Sequence, residues 1–224
     1  MKEKCYERAA TIYLEDALSF AKMSSDLRAS CAEKDSMLMA RASIVFICLY
    51  TESCINCCIE SLYDNDDEYK EKERLSWMKK LRIFLSEKNI KAIDLEQCDI
   101  AHLMMYRNKM VHNKRSEIKC ERISSDCTHM PRENNEIGLP KAVSHIYFGD
   151  AKKAIEIVND FFCLIFQKEM KMSPRDVADL LMSKRKVQNI TDQNKPLFDD
   201  NLYFWLKCNN LLPSYVDVFR SNIE

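Results

Sequence analysis

The stretch MMYRNKMVHNKR, residues 104–115, combines side chains that can act on a phosphodiester. An arginine can bind a phosphate through two parallel hydrogen bonds, and a histidine exchanges a proton near neutral pH. Metal-free RNA cleavage uses both, because one group stabilises charge on the phosphate while the other acts on the ribose 2′-hydroxyl or the leaving oxygen. Arg107 and His112 are therefore candidate catalytic residues. Their spacing also fits an arginine paired in the core beside a surface histidine at a frayed helix end.

Helical spacing puts Arg107 on an apolar face. Ile100, Leu103, Met104 and Val111 recur at intervals of three and four residues with Arg107, so all five share one side of a helix. A guanidinium group on such a face is costly unless it is paired or opens into a cleft. We therefore expect Arg107 to have an acidic partner, a cleft, or both.

His112 occupies a different side of the same helix. It follows Asn108 by four residues, a spacing that lets the amide hold the imidazole in one orientation. It lies about 140° round the helix from Arg107, given 3.6 residues per turn. The two can reach one ligand only if the helix ends or distorts near His112, if the long arginine reaches around, or if two copies face each other.

The composition predicts an all-α protein. Only two glycines, Gly138 and Gly149, occur in 224 residues, against roughly 7% in average proteins. Hairpin turns and phosphate-binding loops both use glycine, so β architectures, Walker-type loops and dinucleotide-binding folds are disfavoured. The net charge of −1 gives no general affinity for polyanions, so a polyanion would have to bind a local basic patch such as residues 107–115.

Apolar periodicity predicts the order of the helices in the first half of the chain. Two long helices over about residues 3–32 and 36–63 should form an antiparallel hairpin. Residues 64–73 should form a charged connector or a frayed helix end, followed by a shorter helix over about 73–88. The next helix begins near Asp99, which can cap it.

The second half begins with the longest irregular segment, residues 113–147, which contains one glycine and two prolines. A strongly amphipathic helix covers residues 149–172, and Ser173-Pro174 ends it and starts another. Two short helices broken near Pro213 complete the chain, and Trp205 with its neighbours should pack them against the preceding helices.

The eleven cysteines raise the question of disulfides or metal ligands. The opening MKEKCYERAATIYLEDALSF interleaves acids and bases and is unlike a secretory leader, so we expect reduced thiols and a cytoplasmic protein. Cys54, Cys57 and Cys58 include a C-x-x-C without a second matching pair, which favours packing over a zinc site. Residues 44–59 are apolar but too short for a membrane span, which indicates a buried core helix.

The segment RNKMVHN, residues 107–113, resembles the Arg-x4–6-His motif of HEPN domains, in the form where asparagine follows the arginine. Its setting is similar too. Residues 40–63, ARASIVFICLYTESCINCCIESLY, resemble the second long helix of that family, and the helix from Gly149 resembles its last bundle helix. The resemblance covers about residues 1–172 and implies a HEPN-like antiparallel helical bundle, with residues 173–224 as a C-terminal helical extension packed on it.

The resemblance also implies a function. Active HEPN domains dimerise so that two Arg-His motifs face each other, and they cleave RNA without a metal or other cofactor to leave 2′,3′-cyclic phosphate and 5′-hydroxyl ends. Carried over, Arg107 would bind and polarise the scissile phosphate, His112 would act as general acid or base, and Asn108 would position one of them. Many members are bacterial toxins or abortive-infection effectors against phage, some with an antitoxin partner.

One departure from the family concerns regulation. In toxins paired with a nucleotidyltransferase antitoxin, a tyrosine two residues after the histidine is modified, whereas this chain has Lys114. Lys109, Lys114 and Arg115 would instead add positive charge for RNA contact, although a basic run is also typical of a solvated face. Control by modification at residue 114 is therefore not expected.

Glu52 is the acidic residue expected to support the site. It lies on a helix that is apolar nearly all round, where an unpaired carboxylate is costly. A salt bridge to Arg107 would satisfy both charges and would also orient the arginine. The leading hypothesis is a homodimeric HEPN-type endoribonuclease with RNA as substrate and no membrane association. The alternatives are a catalytically silent HEPN-like dimerisation or scaffold module and a nucleotide-sensing module of a larger defence complex.

Overall fold

The structure, a computed structural model, describes residues 9–63, 66–90, 93–112, 120–122, 124, 128–182 and 198–217. This part of the chain is mostly helical, in agreement with the all-α prediction from the scarcity of glycine. Its α-helices are α1 Ala9–Ala29, α2 Glu33–Glu60, α3 Asp66–Glu73, α4 Trp77–Glu87, α5 Asp99–Val111, α6 Phe148–Phe162, α7 Pro174–Met182, α8 Asp200–Cys208 and α9 Ser214–Asp217.

α1 and α2 form the predicted antiparallel hairpin. Ser36 Oγ donates to the Ser24 carbonyl at 2.7 Å near the turn, and Ser43 Oγ donates to the Ala17 carbonyl at 2.8 Å further along. Because the partner number on α1 falls as the number on α2 rises, the two helices run in opposite directions. Their facing side chains are fully buried and begin the core of the bundle.

α2 is the central helix, since it packs against α1, α4, α5, α6 and α7. Its Tyr50 ring meets the Phe162 ring of α6 edge-on, with the ring centroids 5.7 Å apart. By length and composition α2 could cross a membrane, but 61% of its most apolar window is buried inside the fold. This burial confirms the prediction of a core helix.

Two elements differ from the sequence prediction in the first half of the chain. The charged connector contains α3, Asp66–Glu73, and the helix expected from residue 73 begins instead at Trp77. Ser76 precedes α4 with extended backbone angles, φ −63° and ψ 152°, as a helix N-cap does. The charged run therefore forms its own short helix rather than a loop.

The helix expected over residues 149–172 changes its winding part-way. α6 ends at Phe162 and continues as a π-helical segment, Cys163–Glu169, in which the Met170 N–H bonds the Ile165 carbonyl at 3.0 Å. The wider turn keeps Phe162 and Phe166 stacked in the core with centroids 5.6 Å apart. Apolar periodicity alone does not distinguish this winding from an α-helix.

The irregular segment between α5 and α6 contains a small strand pair. β1, Glu121–Arg122, pairs antiparallel with β2, Thr128–His129. A second reversal is stabilised by a bridge between Asn134 and Pro140. The Val143–His145 turn, of 3-10 type, then leads into α6.

The C-terminal helices share the core of the bundle. α7 begins at Pro174 after Ser173, as predicted, and packs on α1 and α2, while α8 packs on α1. Tyr215 of α9 is buried, and its hydroxyl lies 2.5 Å from the hydroxyl of Tyr50 on α2. Because helices on both sides of residue 172 contribute to one core, the division at that residue stays a prediction.

Replacing Tyr215 with phenylalanine should destabilise the whole bundle. The Tyr50 hydroxyl is fully buried and would lose its hydrogen bond to Tyr215, which costs about 1–3 kcal/mol. Urea unfolding followed by circular dichroism measures this loss. Tyr13→Phe, at a half-buried tyrosine, is the control and should change the free energy of unfolding by less than about 0.5 kcal/mol. A Tyr215→Phe protein as stable as the control would show that the extension is not coupled to the core.

Candidate functional site

α5 carries the candidate site and is anchored by its apolar residues. Ile100, Leu103 and Met104 are buried against the bundle, as their spacing predicts. Cys98 occupies the N-cap position, so Asp99 lies in the first turn instead of capping the helix. An acidic side chain there still favours the positive end of the helix dipole.

Arg107 forms the ion pair that the sequence predicts. Its Nη2 lies 2.5 Å from Glu52 Oε1 of α2, and the side chains are 12% and 37% exposed, respectively. The pair joins α5 to α2 at the border between the core and the surface. The prediction of a Glu52–Arg107 salt bridge is therefore confirmed, whereas a catalytic role for either residue stays a prediction.

The guanidinium retains hydrogen-bonding capacity. Arg107 Nη1 donates to the side-chain oxygen of Asn108 at 3.0 Å. Nε and Nη2 are buried but make no directed hydrogen bond within the described residues, even though Nη2 is close to Glu52. The short Nη2–Oε1 distance shows that the charges are paired, so Nη2 is engaged by Glu52. The Cys48 thiol also contacts the guanidinium. Nε is then the nitrogen with the most hydrogen-bonding capacity left within the described residues. Unfilled N–H groups of a guanidinium can bind an oxyanion.

Asn108 contacts a different partner from the one that its spacing suggests. Its amide oxygen accepts from Arg107, and within the described residues no side-chain hydrogen bond joins it to His112. A charged donor makes the stronger hydrogen bond, so the amide oxygen goes to the guanidinium rather than to the imidazole. Asn108 is therefore placed to orient Arg107.

Cys48 lies one helical turn before Glu52 and was not predicted to belong to the site. Burial raises the pKa of the Cys48 thiol to about 12, although the Arg107 charge lowers it in part. The thiol consequently stays protonated and is not a nucleophile near neutral pH. Cys48, Glu52 and Asn56 recur every four residues and form a polar line on α2, a spacing that is readable in the sequence.

Lys80 of α4 completes this polar line at its far end. The residue is 7% exposed, and Nζ donates to Asn56 Oδ1 at 2.7 Å. Burial lowers the pKa of the Lys80 amine, and the nearby carboxylates Glu73 and Glu52 offset part of that change. Glu52 is thus placed between two cations from two different helices. Lys80 was not among the residues predicted for the site, although its spacing from Trp77 and Phe84 puts it beside the buried face of α4.

His112 lies at the end of α5, where its side chain is exposed. The helix stops at Val111, and His112 is the C-cap with φ −97° and ψ 17°, its N–H bonded to the Asn108 carbonyl at 3.0 Å. The sequence allowed Arg107 and His112 to reach one ligand if the helix ends near His112, and α5 does end there. Val111, expected on the apolar face, is 52% exposed because the last turn of α5 projects from the bundle.

The three candidate RNA-contacting residues divide between described and undescribed parts of the chain. Lys109 is exposed on α5, one turn beyond Met105. Lys114 and Arg115 lie outside the described residues. Within the described ranges, no group of three or more His, Cys, Asp or Glu residues is placed to hold a metal ion, and no disulfide joins the cysteines.

Glu52→Gln should lower the free energy of unfolding, because it leaves the Arg107 guanidinium without its counter-charge. Breaking a buried ion pair costs about 3–5 kcal/mol and a surface pair about 0–1 kcal/mol, so a pair at the border should lie between these values. Chemical unfolding of both proteins measures the difference. The control is Asp26→Asn, which removes the exposed Lys22–Asp26 pair and should cost less than about 0.5 kcal/mol. Equal losses would mean that the Glu52–Arg107 pair behaves as a surface pair.

No protein-family model, curated protein or solved structure matches this chain. The resemblance to HEPN domains therefore rests on the residues of the chain alone and stays a prediction.

Proposed function

We propose that the protein is a metal-independent HEPN-type endoribonuclease whose site combines Arg107 and His112. The hydrogen bonding of the Arg107 guanidinium is the observation that carries the proposal. The guanidinium is oriented by Glu52 and Asn108, yet its buried Nε has no hydrogen-bond partner within the described residues. A structural arginine in a core would use its N–H groups on the protein, whereas a phosphate-binding arginine keeps some for the ligand.

Arg107 would stabilise the charge that develops on the scissile phosphate. Preorganised donors act strongly because they need no reorientation during the reaction. The Glu52 pair and the Asn108 hydrogen bond hold the guanidinium in place before RNA binds. The limited exposure of Arg107, 12%, would also reduce screening of its charge by water.

His112 would accept the proton of the attacking ribose hydroxyl. As general base it would take the proton of the ribose 2′-hydroxyl while the 2′-oxygen attacks phosphorus, and the bond to the 5′-oxygen breaks. The leaving 5′-oxygen would take a proton from water, which leaves 2′,3′-cyclic phosphate and 5′-hydroxyl ends. His112 would then return its proton to the hydroxide so formed. The exposed position of His112 at the end of α5 is compatible with access to a large substrate.

A second copy of the chain would complete the site. Arg107 faces α2 within its own chain, while His112 projects from the end of α5. Two copies related by a two-fold axis could bring the arginine of one chain to the histidine of the other. The exposed Val111 beside His112 would then be covered in the dimer. The setting proposed is a cytoplasmic bacterial toxin or an abortive-infection effector, with an antitoxin or defence protein as a further partner.

Cleavage of structured RNA in EDTA tests the catalytic assignment. His112→Ala should lower the rate about 10²–10⁴-fold, because proton transfer contributes that much. Arg107→Lys keeps a charge but loses the planar fork, and should lower the rate about 10²-fold or more. Arg82→Ala, which removes an exposed arginine paired with Glu96, is the matched control and should cut normally. Products should carry cyclic phosphate ends.

Wild-type activity absent in EDTA, or equal in the wild-type and His112→Ala proteins, would refute the ribonuclease proposal. Growth arrest on expression supplies an independent test, since arrest should require an intact His112. A silent scaffold would bind its partners equally well with or without His112.

Complementation tests the shared site. Arg107→Lys and His112→Ala proteins should each be inactive, but a mixture of refolded chains should regain up to about a quarter of the wild-type activity, because half of the dimers are mixed and each has one intact site. Sedimentation should show a species of twice the 26.3 kDa chain mass. A mixture that stays inactive while mixed dimers form would place both residues of the site in one chain.

A further inference from the structure

The outward face of α5 forms a line that ends at His112. His102, Met105, Lys109 and His112 follow at intervals of three and four residues, so they fall within an arc of about 80°. Arg107 lies on the opposite side, against α2. The line is accessible: Met105 is 54% exposed, and Lys109 and His112 are exposed as well. A ligand lying along this line would reach His112.

A groove of about 580 Å³ runs beside the part of this line from His102 to Lys109, one helical turn short of His112. One wall is formed by α5, and the other by the turn over residues 134–141. This volume falls within the roughly 300–1,000 Å³ typical of small-molecule sites, so the groove has room for a single nucleotide. The residues that line it include His102, Met105 and Lys109 on α5 and Asn134, Glu136 and Lys141 on the turn.

The opposite wall is preformed. The Tyr106 hydroxyl of α5 donates to the Pro140 carbonyl at 2.7 Å, which ties the turn to the helix. Within the turn, the Asn135 N–H bonds the Leu139 carbonyl at 2.7 Å, and Leu139 is fully buried. Gly138 has φ +74°, a conformation that other residues rarely adopt, so the reversal depends on glycine here. A rigid wall lowers the entropic cost of holding a ligand.

The chemistry of the groove suits a nucleotide with an accessible base. Lys109 and Lys141 can contact phosphate, while the exposed Met105 offers an apolar surface to a base. Glu136, 3.3 Å from His102, and the Asn134 amide can bond the polar edge of a base. Lys141 is itself paired with Glu133 at 3.0 Å, so the local charges nearly balance. A surface for phosphates alone would carry a net positive charge.

We propose that this groove binds one unpaired nucleotide of single-stranded RNA next to the cleaved bond and delivers that bond to His112. The inference rests on the proposed ribonuclease function and adds the substrate class and the residues that select it. A base can enter the groove only when it is unstacked, as in loops and single strands, whereas a duplex keeps its bases paired inside. The preferred substrate is therefore unpaired RNA rather than duplex.

Binding of a short single-stranded RNA to the full-length His112→Ala protein tests the groove without cleavage. Lys109→Ala and Lys141→Ala should each weaken binding about threefold to tenfold and each lower the slope of log affinity against log salt by about 1. Met105→Ala should weaken binding with no change in that slope. Lys79→Ala, an exposed lysine on α4, is the matched control and should bind as His112→Ala alone does. The same strand annealed to its complement should bind at least about tenfold more weakly.

Three results would overturn the proposal that the groove binds RNA. They are no binding of single-stranded RNA, equal binding of duplex and single strand, or groove variants that bind RNA as tightly as Lys79→Ala does. The last result would leave the groove available for a protein segment. Failure of the groove is distinguishable from failure of the ribonuclease proposal. If wild-type protein cuts RNA while the groove variants cut normally, only the groove is wrong. If the groove variants weaken RNA binding but wild-type protein never cuts, only the catalytic assignment is wrong.

Discussion

The ion pair between Glu52 and Arg107 determines which face of α5 packs against the bundle. A guanidinium that is 12% exposed needs a counter-charge, and the nearest one is on the central helix of the bundle. This pairing turns the Arg107 face of α5 towards α2. The opposite face, with Met105, Lys109 and His112, must then point away from the bundle. One electrostatic requirement thus orients both the buried and the exposed parts of the candidate site.

The polar line on α2 is difficult to explain by stability alone. Cys48, Glu52 and Asn56 lie within a helix that otherwise supplies core side chains, and they receive Arg107 from α5 and Lys80 from α4. A buried ion pair is often no more stabilising than apolar residues of the same volume, because its charges must leave water. What the line does provide is a fixed position for two cations. That property is useful where charge must be placed accurately, as at a phosphate.

Local sequence signals were sufficient for the long helices of the bundle and for one tertiary contact. Ser173-Pro174 marks the start of α7, and the apolar stripes locate the α1–α2 hairpin. The Glu52–Arg107 pair was also predictable, since each charge falls on an apolar helical face and needs the other. These predictions succeed because periodicity and the cost of burying charge act through the residues themselves.

Other features depend on how distant elements meet, and the sequence does not contain that information in readable form. The Asn108 amide had two possible partners on its own helix, and the charge on Arg107 decided between them. The groove beside α5 exists only because the turn over residues 134–141 folds back on Tyr106. The π-helical winding of Cys163–Glu169 likewise leaves no mark in an apolar pattern.

The described part of the C-terminal extension packs on the side of α2 away from the candidate site. Tyr50, which meets Tyr215 of α9, is two residues before Glu52, so the two side chains point about 200° apart around α2. α9 consequently completes the core without covering Arg107. The described part of the extension therefore leaves the side of α2 with Glu52 and Arg107 uncovered. It stabilises the helix that carries Glu52, because Tyr215 and Val216 are buried in the same core.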